Sequence, residues 1–219
     1  MTNLQKRILT SLIVLPLSIF FIFEGGYLLL SFLLLVFFIA NYELFSVFKK
    51  KTTILFLDLI LILALFAIYH LRDNSWLSFQ LLVWFIILTI CSDIGGYIFG
   101  KTFKWKKLTK ISPKKTLSGV FGSFAVSLFS LFITENFFQS MTDFNFEINW
   151  FEPKFFFVAI ILSLIAQTGD LIISYFKRLE KIKDTGRILP GHGGIFDRID
   201  SLMFVIIFGF ILHNFNIIP

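Results

Sequence analysis

Seven apolar runs, each close to the length of a membrane-crossing helix, follow one another along this 219-residue chain. They cover residues 8–23, 27–48, 53–71, 76–99, 117–134, 153–176 and 194–214. A helix rises 1.5 Å per residue, so about 20 apolar residues match the hydrocarbon thickness of a bilayer. The first run is marginal by that measure. The expected fold is all-α: a polytopic integral membrane bundle of about seven transmembrane helices, forming one membrane domain over 1–219. Composition speaks against a soluble domain, because 57% of the residues are hydrophobic and only 16% are charged, too few for a polar shell. The lone Cys91 cannot form an internal disulfide. No signal-peptide pattern stands out: the first run lacks a small-residue cleavage site and another run follows at once.

Local signals divide the runs. Pro16 predicts a kink in the first, and Glu24-Gly25-Gly26 a tight turn into the second. Lys49-Lys50-Lys51 closes the second, and Arg72-Asp73-Asn74 joins the third to the fourth. Charge then sets an orientation. Of the 20 Lys and Arg residues, all but Arg72 and Lys154 fall in alternate connections counted from the N-terminus. The opposite side keeps Glu24, Asp73, Glu135, Asp143, Glu147 and Glu152. The positive-inside rule therefore puts the N-terminus in the cytoplasm and the C-terminus outside. The same placement argues against nucleic acid as the partner of the formal +6 charge, since the cations flank apolar runs.

Polar residues inside the runs mark candidate chemistry. In the fourth, Thr89, Ser92, Asp93, Gly96, Tyr97 and Gly100 recur at three- and four-residue steps, so most share one helix face. In the sixth, Ser163, Gln167, Asp170, Ser174 and Lys177 do the same. Asp197, Asp200 and Ser201 open the seventh. A carboxylate inside a span is costly unless it is paired, hydrated or bound to a cation, so Asp93 and Asp170 are functional candidates. Glu43 stands between a site-facing and a structural role, Asp58 has no assigned role, and His70 and His213 read as interface residues.

The most informative stretch is Ser174 to Asp200, SYFKRLEKIKDTGRILPGHGGIFDRID. Its lysines and arginines suit phosphates and its carboxylates suit Mg²⁺. The Gly193-Gly194 pair lets backbone N–H groups approach an anion at a helix start. The register of Ser174, Lys177, Arg178, Lys183, Asp184, Pro190, His192, Gly193, Gly194, Asp197, Arg198 and Asp200 resembles the signature of the phosphatidate cytidylyltransferases (CDP-diacylglycerol synthases). Two earlier blocks resemble the same family: Ser-Asp-Ile-Gly-Gly-Tyr at 92–97 and Ser112-Pro113-Lys114-Lys115-Thr116. One position departs, Ser118, where the family usually carries Glu. The likeness covers Asp93 to the C-terminus. It divides the chain into N-terminal helices (1–75) and a catalytic region (76–219) with the signature loop at 174–200.

The resemblance implies a membrane-bound nucleotidyltransferase that condenses CTP with phosphatidate to give CDP-diacylglycerol and pyrophosphate, a step of phospholipid biosynthesis. Lys177, Arg178, Asp197 and Asp200 are its implied catalytic residues. Ser112, Lys114, Lys115, Thr116, Ser174, Lys183, Asp184, His192, Gly193, Gly194 and Arg198 are implied to bind substrate. The metal candidates are Asp170 and Asp197, one from each helix flanking the loop, with Asp93 and Asp200 as further candidates. The implied cofactor is Mg²⁺, with room for a monovalent cation such as K⁺. The implied setting is a bacterial inner membrane with the active site facing the cytoplasm; a homodimer stays open. Two other readings compete. A CTP-dependent lipid-alcohol kinase shares the substrates' chemistry but needs a base to activate a hydroxyl. An anion transporter needs polar residues through the full membrane depth, whereas here the polar stripes cluster at one end of the runs.

This orientation is open to single-cysteine labelling in a background lacking Cys91. A cysteine at Asn145 is expected to react with an impermeant reagent from outside and one at Lys106 to be spared. The opposite pattern would invert the topology.

Overall fold

The seven runs form seven helices in the computed structural model, which describes residues 3–109, 112–141, 148–186, 188–191 and 193–219. They are α1 (Asn3–Glu24), α2 (Gly26–Val47), α3 (Lys51–Asp73), α4 (Trp76–Phe103), α5 (Leu117–Gln139), α6 (Pro153–Leu179) and α7 (Phe196–Asn214). Among the described residues there is no strand, only isolated bridges at Lys107–Thr116 and Leu189–Gly193. A helix satisfies its backbone within one segment, which is the condition for crossing hydrocarbon. Six of the helices, α1 to α6, are long and apolar enough to span a membrane. The seventh has 19 residues and begins FDRID, so its charges stand at the site end. Pro16 lies inside α1, which continues through it to Glu24.

The bundle is an all-α membrane protein built on two large apolar clusters, with a smaller third around Phe79, Val83 and Phe138 of α4 and α5. One joins α3, α4, α5, α6 and α7 through Leu71, Trp84, Phe85, Leu131, Phe155, Leu162 and Val205. The other joins α2, α3, α6 and α7 through Leu44, Leu57, Leu61, Ile173, Phe196 and Met203. Helix α7 takes part in both and packs on α6, α3 and α4. The outward faces of α1, α2 and α3 carry exposed Leu12, Tyr27, Phe38, Phe45, Leu55 and Phe66. An apolar surface of that extent fits lipid rather than water.

Contacts at the two ends follow the alternation of charge along the sequence. At one end meet the start of α1, the end of α2, the α4–α5 connection and the α6–α7 loop: Arg7 Nε donates to Gly191 O at 2.7 Å, Lys49 N to Glu180 Oε1 at 3.4 Å, and Lys115 Nζ to Gln167 O at 3.1 Å. At the other end Arg72 donates to the carbonyls of Ile22 and Phe23, capping α1, and Asp73 Oδ1 accepts from Gly26 N at 3.0 Å. Gly25, at φ +70, makes the α1–α2 turn; a Cβ there would meet Arg72 Cζ at 2.9 Å. Asp143 to Glu147 of the expected external loop lie outside the described residues, as does Lys110 of the basic loop.

The α4–α5 pair brings backbone against backbone. Gly95, Gly96 and Gly100 of α4 face Gly119, Gly122 and Ser123 of α5. Small residues let membrane helices approach until backbone meets backbone. A Cβ at Gly95 would fall inside van der Waals contact of the Gly122 carbonyl, which is not free to move aside. Ser123 Oγ adds a hydrogen bond to Ser92 O at 2.8 Å. Gly95→Ala is therefore expected to destabilise the bundle by about 1–3 kcal/mol through overpacking, read as a lowered unfolding midpoint in detergent. Gly26→Ala, where a Cβ meets nothing within 4 Å, tests a strained φ (+54) without a steric clash and is expected to cost less.

Candidate active site

The polar faces of α4 and α6 and the start of α5 enclose a cavity of about 280 Å³. Its lining includes Ser92, Asp93, Gly96 and Tyr97 from α4, Gln167 and Asp170 from α6, and Ser112, Lys114, Lys115 and Thr116 from the connection. Both earlier sequence blocks thus meet the sixth helix at one place. The connection is shaped by backbone bonds: Leu108 N donates to Lys115 O at 2.8 Å and Leu117 N to Lys106 O at 3.0 Å. Thr116 then caps α5, its Oγ1 accepting from Gly119 N at 3.2 Å. The positive end of the α5 dipole therefore opens on the cavity, an arrangement that favours anions.

Two ion pairs organise the charges. Lys115 Nζ stands 2.7 Å from Asp170 Oδ2, with both side chains partly exposed. Lys177 Nζ stands 2.9 Å from Asp197 Oδ1 and 3.8 Å from Asp200 Oδ2, with the first two side chains 9% and 6% exposed. Asp197 Oδ2 also accepts from Thr185 N at 2.7 Å and Gly194 N at 3.1 Å. Its carboxylate is therefore engaged on both oxygens, tying α6, the loop and α7 together.

Asp93, Asp170 and Asp200 form the second acidic group, near enough for Asp93 and Asp200 each to feel the charge of Asp170. Ser201 Oγ donates to Asp93 Oδ2 at 3.4 Å, and Ser174 Oγ to Asp170 Oδ1 at 3.2 Å. Among the described residues, no three His, Cys, Asp or Glu side chains are drawn into a metal cage of their own. Mg²⁺ seldom has one; it is commonly held by one or two carboxylates together with substrate phosphates. All-oxygen donors at the edge of a cationic cavity fit that pattern.

The other sequence candidates lie nearby with differing engagement. Arg178 is exposed and donates to Ile182 O at 2.7 Å, closing the α6 C-terminus. Lys183, Asp184 and Arg198 are exposed. Gly193, at φ +87, sits between Asp184 and Asp197: a Cβ would meet Asp197 Oδ2 at 3.1 Å and Asp184 Cβ at 3.4 Å. His192 and Arg187 lie outside the described residues. Ser118 is buried; its Oγ accepts from Trp105 N at 3.4 Å and lies 3.0 Å from Thr116 Oγ1.

Three residues from the N-terminal helices reach the same loop. Glu43 of α2, only 1% exposed, accepts from Ile195 N at 3.1 Å and Phe196 N at 3.2 Å. Arg7 and Thr10 of α1 donate to the carbonyls of Gly191 and Pro190, at 2.7 and 3.0 Å. Sequence patterning signals only that a buried Glu inside a span needs a partner. It does not show where, 152 residues away, that partner lies.

The two ion pairs differ in burial, and the expected effects differ with it. Removing one partner of a buried pair costs about 3–5 kcal/mol, whereas exposed pairs contribute about 0–1 kcal/mol. Lys177→Met is expected to lower the unfolding midpoint strongly, and Lys115→Met to leave it near wild type. Equal shifts in a detergent thermal melt would refute this ranking.

The model of the Cytidylyltransferase family matches residues 48–216. A phosphatidate cytidylyltransferase of Rickettsia conorii is 35% identical, covering 96% of this chain and 91% of the relative. One from Rickettsia felis is 36% identical over 92% of this chain and 88% of its own length. A relative of that name from Staphylococcus haemolyticus is 47% identical, over 52% of this chain and 42% of its own length.

Proposed function

The chain belongs to the cytidylyltransferase family, and from that premise we propose that it condenses CTP with phosphatidate, giving CDP-diacylglycerol and pyrophosphate. The observation that carries this reading is the convergence of Asp93, Asp170, Lys114, Lys115 and Thr116 on one cavity. The Lys177–Asp197–Asp200 cluster enters from the adjoining loop. The reaction joins two polyanions. A phosphatidate oxygen attacks the α-phosphorus of CTP, a new P–O bond forms, and the bond from the α-phosphorus to the bridging oxygen breaks as pyrophosphate leaves. A phosphatidate oxygen is already ionised at neutral pH, so no general base is needed.

What the protein has to supply is position and positive charge. Lys114, Lys115 and the N-terminus of α5 form one anion-favouring wall, and Lys177, Arg178, Lys183 and Arg198 a second. Asp93 and Asp170, which line the cavity, would hold Mg²⁺ between them and the nucleotide, with Asp200 nearby. When bound there, the cation neutralises phosphate charge that builds in the transition state. Lys115 then has two roles: it pairs with Asp170 and would turn to a phosphate when a cation takes its place on that carboxylate.

The basic end of the bundle carries the cavity, and CTP is a cytoplasmic nucleotide. We therefore place the site on the cytoplasmic face of a bacterial inner membrane, on a multi-pass protein whose relatives are bacterial. The polar residues of the spans gather at this end, which favours a surface enzyme over a transport path.

The direct test is purified protein with CTP, Mg²⁺ and phosphatidate, assayed for CDP-diacylglycerol. Asp170→Asn keeps the shape of the side chain and removes its charge. It is expected to lower the rate and to raise the Mg²⁺ concentration needed for half-maximal activity. Wild-type activity at limiting Mg²⁺ would make Asp170 structural.

A further inference from the structure

Glu43 is the most completely enclosed carboxylate at the site end of the bundle, and the reaction as described makes no use of it. It stands one turn from the end of α2, outside the residues 48–216 that match the family model. Both of its oxygens are committed: Oε1 accepts the Ile195 N–H and Oε2 the Phe196 N–H. These are donors at the start of α7, whose own N-cap residue, Ile195, supplies no side-chain bond. A helix start leaves its first N–H groups without intrahelical partners, and a carboxylate there satisfies both the hydrogen bonds and the dipole. Glu43 is therefore the cap of α7, delivered from another helix.

The loop is built around that carboxylate. Gly186 and Gly194 lie against it on either side, and a Cβ at either position would fall well inside van der Waals contact of a Glu43 oxygen. Asp197 takes the neighbouring donors, the N–H groups of Thr185 and Gly194. Two carboxylates, one from α2 and one from α7 itself, thus divide the backbone donors of the loop and of the α7 start. The two donors that Glu43 holds stand directly before Asp197 and Arg198 in the sequence.

We propose that Glu43 is a positioning residue for cytidylyl transfer, fixing the α7 N-terminus and the signature loop so that Arg198 meets the phosphates and Asp200 keeps its place beside the acids of the cavity in one geometry. The proposal rests on reading this loop as the phosphate site. Glu43 touches no substrate; it acts through the Ile195 and Phe196 amides. Side chain and charge both matter in this role, because an amide at position 43 offers one acceptor and would turn an N–H donor toward another donor.

The experiment uses the full-length protein in detergent with three readouts: kcat and KM for CTP, tryptic cleavage at Lys181 and Lys183, and the unfolding midpoint. Glu43→Gln preserves size, so a space-filling role predicts wild-type behaviour in all three. Positioning predicts a fall in kcat of about 10–100-fold, the scale seen when groups that orient ligands are changed, with faster cleavage of the loop. Glu43→Asp, which keeps the charge on a shorter arm, is expected to recover part of both. Gly186→Ala presses on the carboxylate from the loop side with Glu43 intact, and is expected to reproduce both effects even if the Glu43 variants fail to fold. Wild-type kcat and wild-type protease resistance in Glu43→Gln overturn the proposal, as does lost activity with an unchanged cleavage rate. A wild-type protein inactive toward phosphatidate sinks the functional reading instead, while the cleavage arm still reports on whether Glu43 fastens the loop.

Discussion

The ion pair between Lys177 and Asp197 is the interaction on which the catalytic end depends. Both side chains are almost fully enclosed, and charges in such a place persist only when paired and hydrogen-bonded. Lys177 comes from the last turn of α6 and Asp197 from the first turn of α7, so the pair closes a loop of some 20 residues at its base. Asp197 then draws in Thr185 and Gly194 through their amides. A loop carrying this many cations would otherwise splay into water. Held at its neck, it presents Arg178, Lys183 and Arg198 outward while the neutralised pair stays inside.

The second constraint is the contact of α4 with α5. Glycines on both helices bring the backbones together beside the cavity, which Tyr97, Thr116 and Val120 also line. Larger residues at Gly95 or Gly122 would separate the helices and move Asp93 away from Lys115. The small residues therefore matter for the relative placement of an acid and a base on different elements, beyond packing alone. Helices α2 and α3 pack on α6 and α7 through the second apolar cluster, and α1 and α2 reach the loop through Arg7, Thr10 and Glu43 at Pro190, Gly191, Ile195 and Phe196.

Much of this architecture is legible along the chain, for reasons that differ by element. Apolar runs of membrane length locate all seven helices, because a backbone in hydrocarbon has few alternatives to a helix. The start of α7 falls at Phe196 rather than 194, with the Gly194 amide bonded to Asp197 Oδ2 ahead of the helix. The three- and four-residue spacing of Ser92, Asp93, Gly96, Ser163, Gln167 and Asp170 identifies the faces that meet; Ser92 Oγ and Ser163 Oγ lie 2.8 Å apart. Which acid pairs with which base is not legible. Asp170 and Asp197 both read as metal candidates by position. The structure groups Asp170 with Asp93 and Asp200 and turns Asp197 to Lys177 and two amides. That choice is made by tertiary placement of side chains, which leaves no periodic trace. Glu43 is the extreme case, since its partners are backbone atoms and carry no residue signature at all.

Ser118 brings these strands together at the one position that departs from the family pattern. It is the second residue of α5, where a carboxylate would interact favourably with the helix dipole and stand beside the cavity. Here a hydroxyl takes the place, bonded to Thr116 Oγ1 and to the Trp105 amide. It ties the α5 cap to the end of the α4–α5 connection without adding negative charge next to Lys114 and Lys115. The acidic side of the cavity is thereby left to Asp93 and Asp170, and the α5 N-terminus keeps its full positive character toward a phosphate. In this cavity the division of labour is spatial: Asp93 and Asp170 come from α4 and α6, and Lys114, Lys115 and the helix start come from the α4–α5 connection.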